Sequence, residues 1–402
     1  MPVRKISLAT APAALIALVG SRRWASRIAA LRARAAEGSR AGKVLMQRHA
    51  VEFALHRLAQ SPAPGIAQPA DARIAALAME AVALSRALPP AGQARLAARL
   101  DAALSGEATL IPFFHILRSA ALQRARGFEI SYSGLAEEAP FDLLLTRGAA
   151  QAELACDVIS AEEGREVHRG TWFRLADRVD PDLQTWLAAH PGRYLLKMTL
   201  PDGLREAGPD SADPLAALHG AIRAMLEGQT RQTEDAAAVL RLDPLLLAGA
   251  QAAEAGLMGR LRREFGPEAH LSVTAAGGGV FVMAARAGRE NEVAAAVRRR
   301  LASIAPVRLS GARPGILAMF IEDTDRAEWR GLRERLELEG EARQFLTHPA
   351  ARPVVAVTCT SRLELFGLPA PDAVAEGELR FRNPAHPAAR TLELAPAVAS
   401  SV

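Results

Sequence analysis

Three short strand-like runs, at residues 128–133, 141–147 and 151–160, are the feature that most constrains the fold of this chain. The second and third runs contain stretches of consecutive apolar residues, whereas apolar and polar residues would alternate in a strand with one face in solvent. Such strands are typical of a sheet that is covered on both faces. The runs therefore predict a buried sheet with helices packed above and below it.

The segments around these runs predict the order of elements. Residues 112–126 have the pattern of an amphipathic helix that ends at Gly127. We expect a further helix at about 165–178 and a fourth strand at 194–200. The order helix, three strands, helix, strand predicts one mixed sheet flanked by helices, in which residues 128–200 supply adjacent strands.

Residues 1–105 differ from the rest in being rich in helix formers and divided by proline-containing breaks. We expect a basic helical N-terminal region there, followed by an α/β domain at 106–402. Within the α/β domain, residues 201–313 are expected to form an elaboration on the central sheet. The whole chain is thus expected to be α/β, with a helical N-terminal region.

Basic residues are concentrated at the N-terminus. Residues 1–50 contain ten basic residues and one acidic residue, whereas the whole chain of 402 residues carries a net charge of only +5. A basic arm of this kind can contact phosphate groups, and we expect Arg22, Arg23 and Arg27 to contribute to nucleic-acid binding. The alternative is a solvated, arginine-rich helix without a ligand.

An uncharged, mostly apolar segment at residues 7–20 raises the question of targeting. A signal peptide is disfavoured because a strongly basic sequence follows at once and no small-x-small cleavage site ends the segment. A membrane span needs about 20 apolar residues, more than this segment provides. We expect a cytoplasmic protein without a membrane-embedded part, and docking of residues 7–34 to a partner or a membrane surface is an alternative.

Several kinds of site are disfavoured by composition. Two cysteines, Cys156 and Cys359, do not make a disulfide framework. The nine histidines are scattered without zinc-ligand spacing, and no nucleophile elbow or H-E-x-x-H sequence is present. Only three lysines occur, Lys5, Lys43 and Lys197, which restricts any chemistry that requires a lysine.

Acidic side chains lie on the second and third predicted strands. Asp142 follows Pro140 by two residues, and the third strand carries Glu153 and Asp157 with Ala155 between them. Because side chains of a strand alternate between its two faces, Glu153, Ala155 and Asp157 share one face. Three carboxylates on neighbouring strands can bind a metal ion, or they can pair with arginines.

This arrangement resembles the restriction-endonuclease-like, or PD-(D/E)XK, nuclease superfamily. The resemblance covers residues 110–200 directly and 110–360 more loosely. It implies a metal site in which acids on adjacent strands hold Mg²⁺ beside the scissile phosphate, while a lysine two residues after the second acid orients the attacking water. Asp142, Glu153 and Asp157 are the catalytic and metal-binding candidates that the resemblance implies.

The lysine of this motif is missing. If Glu153 is the acid, Ala155 occupies the lysine position. If Ala155 occupies the acid position, as the similarity of Cys156-Asp157-Val158-Ile159-Ser160 to a common family sequence favours, Asp157 occupies the lysine position. Neither alignment supplies a cation, so we expect a degenerate site with no cofactor, although an acidic cluster that uses Mg²⁺ is an alternative.

A predicted helix after the third strand carries Arg165, His168 and Arg169 at i, i+3 and i+4 spacing. In the family fold this helix begins beside the active cleft, so the three residues are candidates for phosphate contacts. Together these features favour a catalytically degenerate nuclease-fold protein that binds nucleic acid or a nucleic-acid-associated complex. The alternatives are an active Mg²⁺-dependent nuclease and an interaction protein that docks through its helical N-terminal region.

Overall fold

The structure is a computed structural model that describes residues 7–35, 38–60, 68–206, 213–245, 260–262, 265–266, 269–366 and 377–401. The chain divides into two compact units. The first comprises Met1–Ala33, Met46–Ala161 and Ala294–Val402, and the second comprises Arg34–Leu45 and Glu162–Val293. The boundary expected near residue 105 falls inside the first unit, because the helices before it and the sheet after it share one hydrophobic core.

The N-terminal part of the described chain is helical. Its helices are α1 (Ala11–Val19), α2 (Ser21–Arg34), α3 (Arg40–Arg48), α4 (Ala50–Gln60), α5 (Pro69–Ala87) and α6 (Pro90–Ala103). Proline lies in the first turn of α1, α5 and α6, where its missing N–H costs no hydrogen bond. Trp24, Leu55 and Ile74 are buried side chains of these helices in the core of the first unit.

The first half of the central sheet follows directly along the chain. Its elements are α7 (Ile111–Ala125), β1 (Glu129–Ser131), α8 (Ser133–Ala136), β2 (Leu143–Arg147) and β3 (Ala150–Ser160), and a 3₁₀ turn at Ala161–Gly164 ends it. The predicted helix at 112–126 and the three predicted strands are therefore present, with bounds shifted by a few residues. Gly127 terminates α7 with a positive φ of 86°, a conformation that glycine adopts without strain.

The second unit has its own mixed sheet and its own core. Its main elements are α9 (Arg169–Ala189), β4 (Arg193–Leu200), α10 (Pro214–Glu227), β5 (Gln232–Glu234), β6 (Val239–Pro244), β7 (His270–Ala276) and β8 (Gly279–Ala287). The strand order is β5-β6-β4-β8-β7, in which only β4 and β8 are parallel. Trp172 and Leu183 of α9 pack with Phe281 of β8 in the core of this unit.

The chain then returns to the first unit. The remaining elements are α11 (Val293–Arg308), β9 (Gly315–Glu322), α12 (Arg326–Glu334), α13 (Glu337–Leu346), β10 (Val354–Ser361), α14 (Arg362–Phe366), β11 (Leu379–Arg382) and α15 (Ala395–Val398). Every residue of β9 and β10 is buried, as expected for central strands that are covered on both faces.

The first unit contains a six-stranded mixed sheet in the order β1-β2-β3-β9-β10-β11. Strands β3, β9 and β10 are parallel, and the outer pairs are antiparallel. Phe114 and Leu117 of α7 pack on the face that carries Leu154 and Phe320. The opposite face carries Asp142, which precedes β2, and the acidic residues of β3, and it is contacted by arginines of α11.

The expectation that residues 194–200 form the fourth strand of this sheet is wrong. That segment forms β4 of the second sheet, and β9 is the parallel neighbour of β3. The sequence prediction assumed that the next strand along the chain pairs with β3. Here residues 162–293 instead bury their apolar side chains in a unit of their own before the chain returns through α11.

Candidate functional site

The register of β2 and β3 determines which residues face Asp142. Leu143 pairs with Leu154, and Leu144 pairs with Glu153. Asp142, one step before Leu143, therefore lies opposite Ala155, and its backbone N–H donates to the carbonyl of Leu154 at 3.1 Å. Ala155 is thus the β3 residue opposite Asp142, and Glu153 and Asp157 lie on either side of it on the same face.

Asp142 is almost completely buried, with 3% of its side chain exposed, and both of its carboxylate oxygens accept hydrogen bonds. Oδ2 accepts from the backbone N–H of Cys156 at 2.8 Å and from Nη2 of Arg308 at 2.6 Å. Oδ1 accepts from Nη1 and Nη2 of Arg99 at 3.2 and 3.3 Å. Two guanidinium groups and one backbone amide thus compensate the cost of burying this charge.

Glu153 has no exposed side-chain surface and is bound by the loop between α11 and β9. Its Oε2 accepts from the backbone N–H of Ser310 at 2.8 Å, and its Oε1 accepts from the hydroxyl of the same residue. Nη1 of Arg313 lies 3.6 Å from Oε1. The carboxylate therefore stabilises the loop that leads from α11 into β9.

Asp157 pairs with Arg300 of α11 in a bidentate arrangement. Nε of Arg300 donates to Oδ2, and Nη2 donates to Oδ1 at 3.1 Å. The planar guanidinium matches the two carboxylate oxygens, which is the geometry that makes arginine a stronger partner than lysine. In the alignment that places Asp157 at the lysine position, that position is acidic, and the cation beside it is Arg300 from a different element.

Four arginines and three carboxylates make up this cluster, which we call the arginine clamp. Its members are Arg99, Arg300, Arg308 and Arg313 with Asp142, Glu153 and Asp157. Sequence reasoning missed the arginines because they lie 43 to 166 positions away from the carboxylates that they contact. The only signal was the basic run at 298–300, which by itself does not identify a partner.

The clamp does not fit a magnesium ion. All six carboxylate oxygens of the three acids already accept hydrogen bonds or lie close to a guanidinium, so metal coordination would require these donors to leave. In the part of the chain that the structure describes, no group of three or more His, Cys, Asp or Glu side chains is arranged to hold a metal ion. No hydrolytic step through a metal follows from this geometry.

The residues predicted after β3 do not share a helical face. Arg165 lies between the 3₁₀ turn and α9, is 4% exposed and pairs with Glu162. His168 precedes α9, burial lowers its pKa, and Arg169 is the first residue of that helix. The expected shared face is absent because α9 begins at residue 169 rather than at about 165. Arg165 therefore serves local packing, and Arg169 remains partly exposed.

The three arginines predicted in the N-terminal arm lie on α2 but have different surroundings. Arg27 is 8% exposed and donates to the carbonyls of Gly106 and Ala108 at 2.8 and 2.6 Å. Arg23 pairs with Asp101 of α6, and Arg22 is exposed. Arg23 and Arg27 thus hold α2 against the rest of the first unit, because their guanidinium groups bind carboxylate and carbonyl oxygens there.

The surroundings of Lys197 and Cys156 indicate structural roles for both residues. Nζ of Lys197 lies 3.2 Å from Oδ2 of Asp243 on the neighbouring strand β6 and 6.0 Å from the ring centroid of Phe265. Cys156 is buried, and burial raises the pKa of its thiol well above the usual value, which keeps it protonated and unreactive.

Two further findings bear on partners and relatives. Among the described residues, no helix combines the length and the apolar character needed to cross a membrane. No protein family matches this chain, and neither does any curated protein or solved structure.

Proposed function

We propose that the chain is a nucleic-acid-binding protein built on a degenerate nuclease-like fold, and that it does not hydrolyse the bound strand. The order α7, β1, β2, β3, α11, β9 supports the first part of this proposal. It is the helix, three strands, helix, strand order of the resemblance, with residues 162–293 inserted before the second helix. The position of Asp142 before β2 and of two further acids on β3 supports it as well.

The observation that carries the proposal is the arginine clamp. Where the resemblance implies a metal and a lysine, four guanidinium groups surround three carboxylates, which leaves one positive charge in excess. The arginine side chains are 26 to 43% exposed, whereas the carboxylates are 0 to 13% exposed. The positive groups therefore form the outer part of the cluster and the negative groups its inner part.

This arrangement suits phosphate binding and opposes hydrolysis. A guanidinium has five N–H donors, and Arg308 uses Nε for the carbonyl of Pro140 and Nη2 for Asp142, so donors remain for a phosphate oxygen. Contacts of this type fix the backbone of a nucleic acid without distinguishing its sequence. The inner carboxylates already accept hydrogen bonds, Asp142 and Asp157 from arginines and Glu153 from Ser310, so none is positioned to activate a water molecule with a metal.

The test combines a cleavage assay and a binding assay on the full-length protein. Single- and double-stranded DNA and RNA are incubated with Mg²⁺ or Mn²⁺, and binding of labelled strands is followed by fluorescence anisotropy. We expect no cleavage, measurable binding, and a loss of affinity of about 5- to 10-fold for Arg313→Ala, the size of one charge-assisted contact. Arg343→Ala, on the exposed surface of α13, is the matched control and should change the affinity less than twofold.

Two results would overturn the proposal. Cleavage that is lost in Asp142→Asn, with the fold retained, would make the acidic cluster a working metal site. Binding that is equally strong in the Arg313→Ala and Arg343→Ala variants would show that the clamp has no part in nucleic-acid recognition. The variant proteins are compared by circular dichroism first, so that a loss of binding is not confused with unfolding.

A further inference from the structure

Two buried carboxylates converge on the start of α7, away from the arginine clamp. Glu52 of α4 is fully buried, and its Oε1 accepts from the backbone N–H of Leu110 at 3.3 Å. Glu322, the last residue of β9, is 9% exposed, and its Oε1 accepts from the hydroxyl of Thr109 at 2.9 Å. Since the two donors belong to consecutive residues, the two carboxylates are neighbours.

Other charged and polar groups complete this cluster. Nδ1 of His49 lies 3.1 Å from Oε1 of Glu52, and both side chains are fully buried. Asp323 follows Glu322, accepts from the hydroxyl of Ser160 at 2.6 Å and lies 3.4 Å from Nη1 of Arg48. Three carboxylates and one arginine thus meet here, in a region from which water is largely excluded.

Two of the buried groups have polar atoms that are not satisfied within the described protein. Oε2 of Glu52 and Nε2 of His49 are both buried without a hydrogen-bond partner. A buried polar atom without a hydrogen-bond partner is costly, and the cost is greatest for a charged group. The cluster brings three carboxylates together with one guanidinium, so a bound proton would bring it closer to neutrality.

We propose that Glu322, with the carboxylate of Glu52 beside it, is a proton-binding site that holds the start of α7 and the α4 helix to the end of β9. With the proton bound, the carboxyl group of Glu322 carries no charge and can donate a hydrogen bond. Without it, Glu322 is ionised beside Glu52 and Asp323, and the mutual repulsion weakens the attachment of α4. This proposal is independent of nucleic-acid binding, because none of its residues belongs to the arginine clamp.

The electrostatic surroundings of Glu322 agree with the geometry. Burial raises the pKa of Glu322 to about 7, and the charges of Asp323 and Glu52 act in the same direction. Arg48 and the hydrogen bond from Thr109 oppose this rise in pKa by favouring the ionised form. Glu322 would therefore release its proton around neutral pH, more than two pH units above the pH at which a surface glutamate does so.

The experiment measures the titration of Glu322 directly. The full-length protein is labelled with ¹³C at the glutamate carboxyl carbon, and the carboxyl resonances are followed from pH 4 to pH 8.5. We expect one resonance with a midpoint near 7 that is missing from Glu322→Gln. A Glu322 resonance that titrates together with the surface glutamates near pH 4.5 would overturn the proposal.

Two neighbouring variants test the site without changing Glu322. Glu52→Gln removes a like charge and should move the Glu322 midpoint to lower pH by roughly one pH unit, whereas Thr109→Val removes a hydrogen bond to the ionised form and should move it to higher pH. A merely structural role for these residues does not predict shifts of opposite sign. Equal midpoints in both variants and in the control Glu341→Gln would refute the shared site, even if Glu322→Gln does not fold.

Discussion

Nη2 of Arg308 lies 2.6 Å from Oδ2 of Asp142, and Nε of the same arginine donates to the carbonyl of Pro140 at 2.9 Å. Arg308 is the last residue of α11, and Asp142 immediately precedes β2. One side chain thus joins the end of a helix to the segment that precedes β2, through two partners that lie two residues apart. In this protein the acid that resembles a metal ligand holds a helix in place.

Removal of the Arg308 side chain should destabilise the protein measurably. We expect Arg308→Ala to lower the free energy of unfolding by about 1–3 kcal/mol, because a buried carboxylate loses one of two guanidinium partners while Arg99 remains. The matched control is Arg343→Ala, which removes an exposed i,i+4 pair with Glu339 and should cost less than about 0.5 kcal/mol. Urea denaturation measures both, and equal losses would contradict a structural role for the clamp.

Removal of the carboxylate itself should cost more. Asp142→Ala leaves Arg99, Nη2 of Arg308 and the N–H of Cys156 without the carboxylate acceptor, and we expect a loss of about 3–5 kcal/mol in the free energy of unfolding. Asp142→Asn keeps one acceptor oxygen and should lose less. Thermal or urea unfolding ranks the stability of the two variants and so tests this expectation. An alanine variant as stable as the asparagine variant would contradict it. Asp142→Asn is therefore the better control in cleavage assays.

The salt dependence of nucleic-acid binding should report how many clamp arginines bind phosphate. Neutralised phosphates release counterions, so the logarithm of affinity falls linearly with the logarithm of salt concentration. We expect Arg300→Ala to make the slope of this line less negative by about one for each phosphate that Arg300 neutralises. The affinity should fall by a similar factor for every sequence. Anisotropy titrations between low and physiological salt measure the slope, and a slope identical to that of the unmodified protein would exclude Arg300 from phosphate binding.

His115 of α7 should make the protein less stable in acid. Burial lowers its pKa to about 4, while Nε2 donates to the carbonyl of Ala318 at 2.9 Å. The unfolded chain then binds a proton below pH 6.5 that the folded chain does not bind until about pH 4. Stability is therefore lost as pH falls from 6.5 to 4, by up to about 3 kcal/mol.

His115→Gln keeps a side-chain donor but does not titrate, so its stability should depend less on pH across this window. Glu322 acts in the opposite direction, because its raised pKa makes the folded protein bind an extra proton between pH 4.5 and 7. The difference in free energy of unfolding between His115→Gln and the unmodified protein, measured at each pH by urea denaturation, separates the effect of His115 from that of Glu322. An unchanged difference from pH 4 to pH 7 would contradict this account of His115.

Two glycines of the second unit provide a test of close packing. A Cβ at Gly164 would lie 2.4 Å from the Cα of Val293, so Gly164→Ala requires the backbone to move and should cost more than about 2 kcal/mol. A Cβ at Gly170, in the first turn of α9, would meet no atom within 4 Å. Gly170→Ala should therefore be neutral or stabilise the helix by about 0.5 kcal/mol. The midpoint temperatures of thermal unfolding of the two variants measure this difference. Similar midpoints would contradict the close approach of Gly164 to Val293.

Local sequence patterns were sufficient to predict many of the elements. The apolar runs and the amphipathic segment before them determine α7, β1, β2 and β3, since hydrophobic periodicity and glycine or proline breaks act within a few residues. The alternation of side chains along β3 likewise places Glu153, Ala155 and Asp157 on one face. The same reasoning could not predict that β9 pairs with β3, because residues 162–293 fold separately and the pairing depends on contacts across that gap.

The sequence by itself determined which residues are acidic, that the lysine of the resembling motif is missing, and on which strand the carboxylates lie. Only the tertiary structure decided what those carboxylates contact. Arg300 and Arg308 come from α11, and they reach Asp157 and Asp142 because the parallel crossover from β3 to β9 lays that helix over the acidic face. Long-range ion pairs of this kind leave no periodic signal in a sequence, since each depends on the path of the whole chain between its two partners.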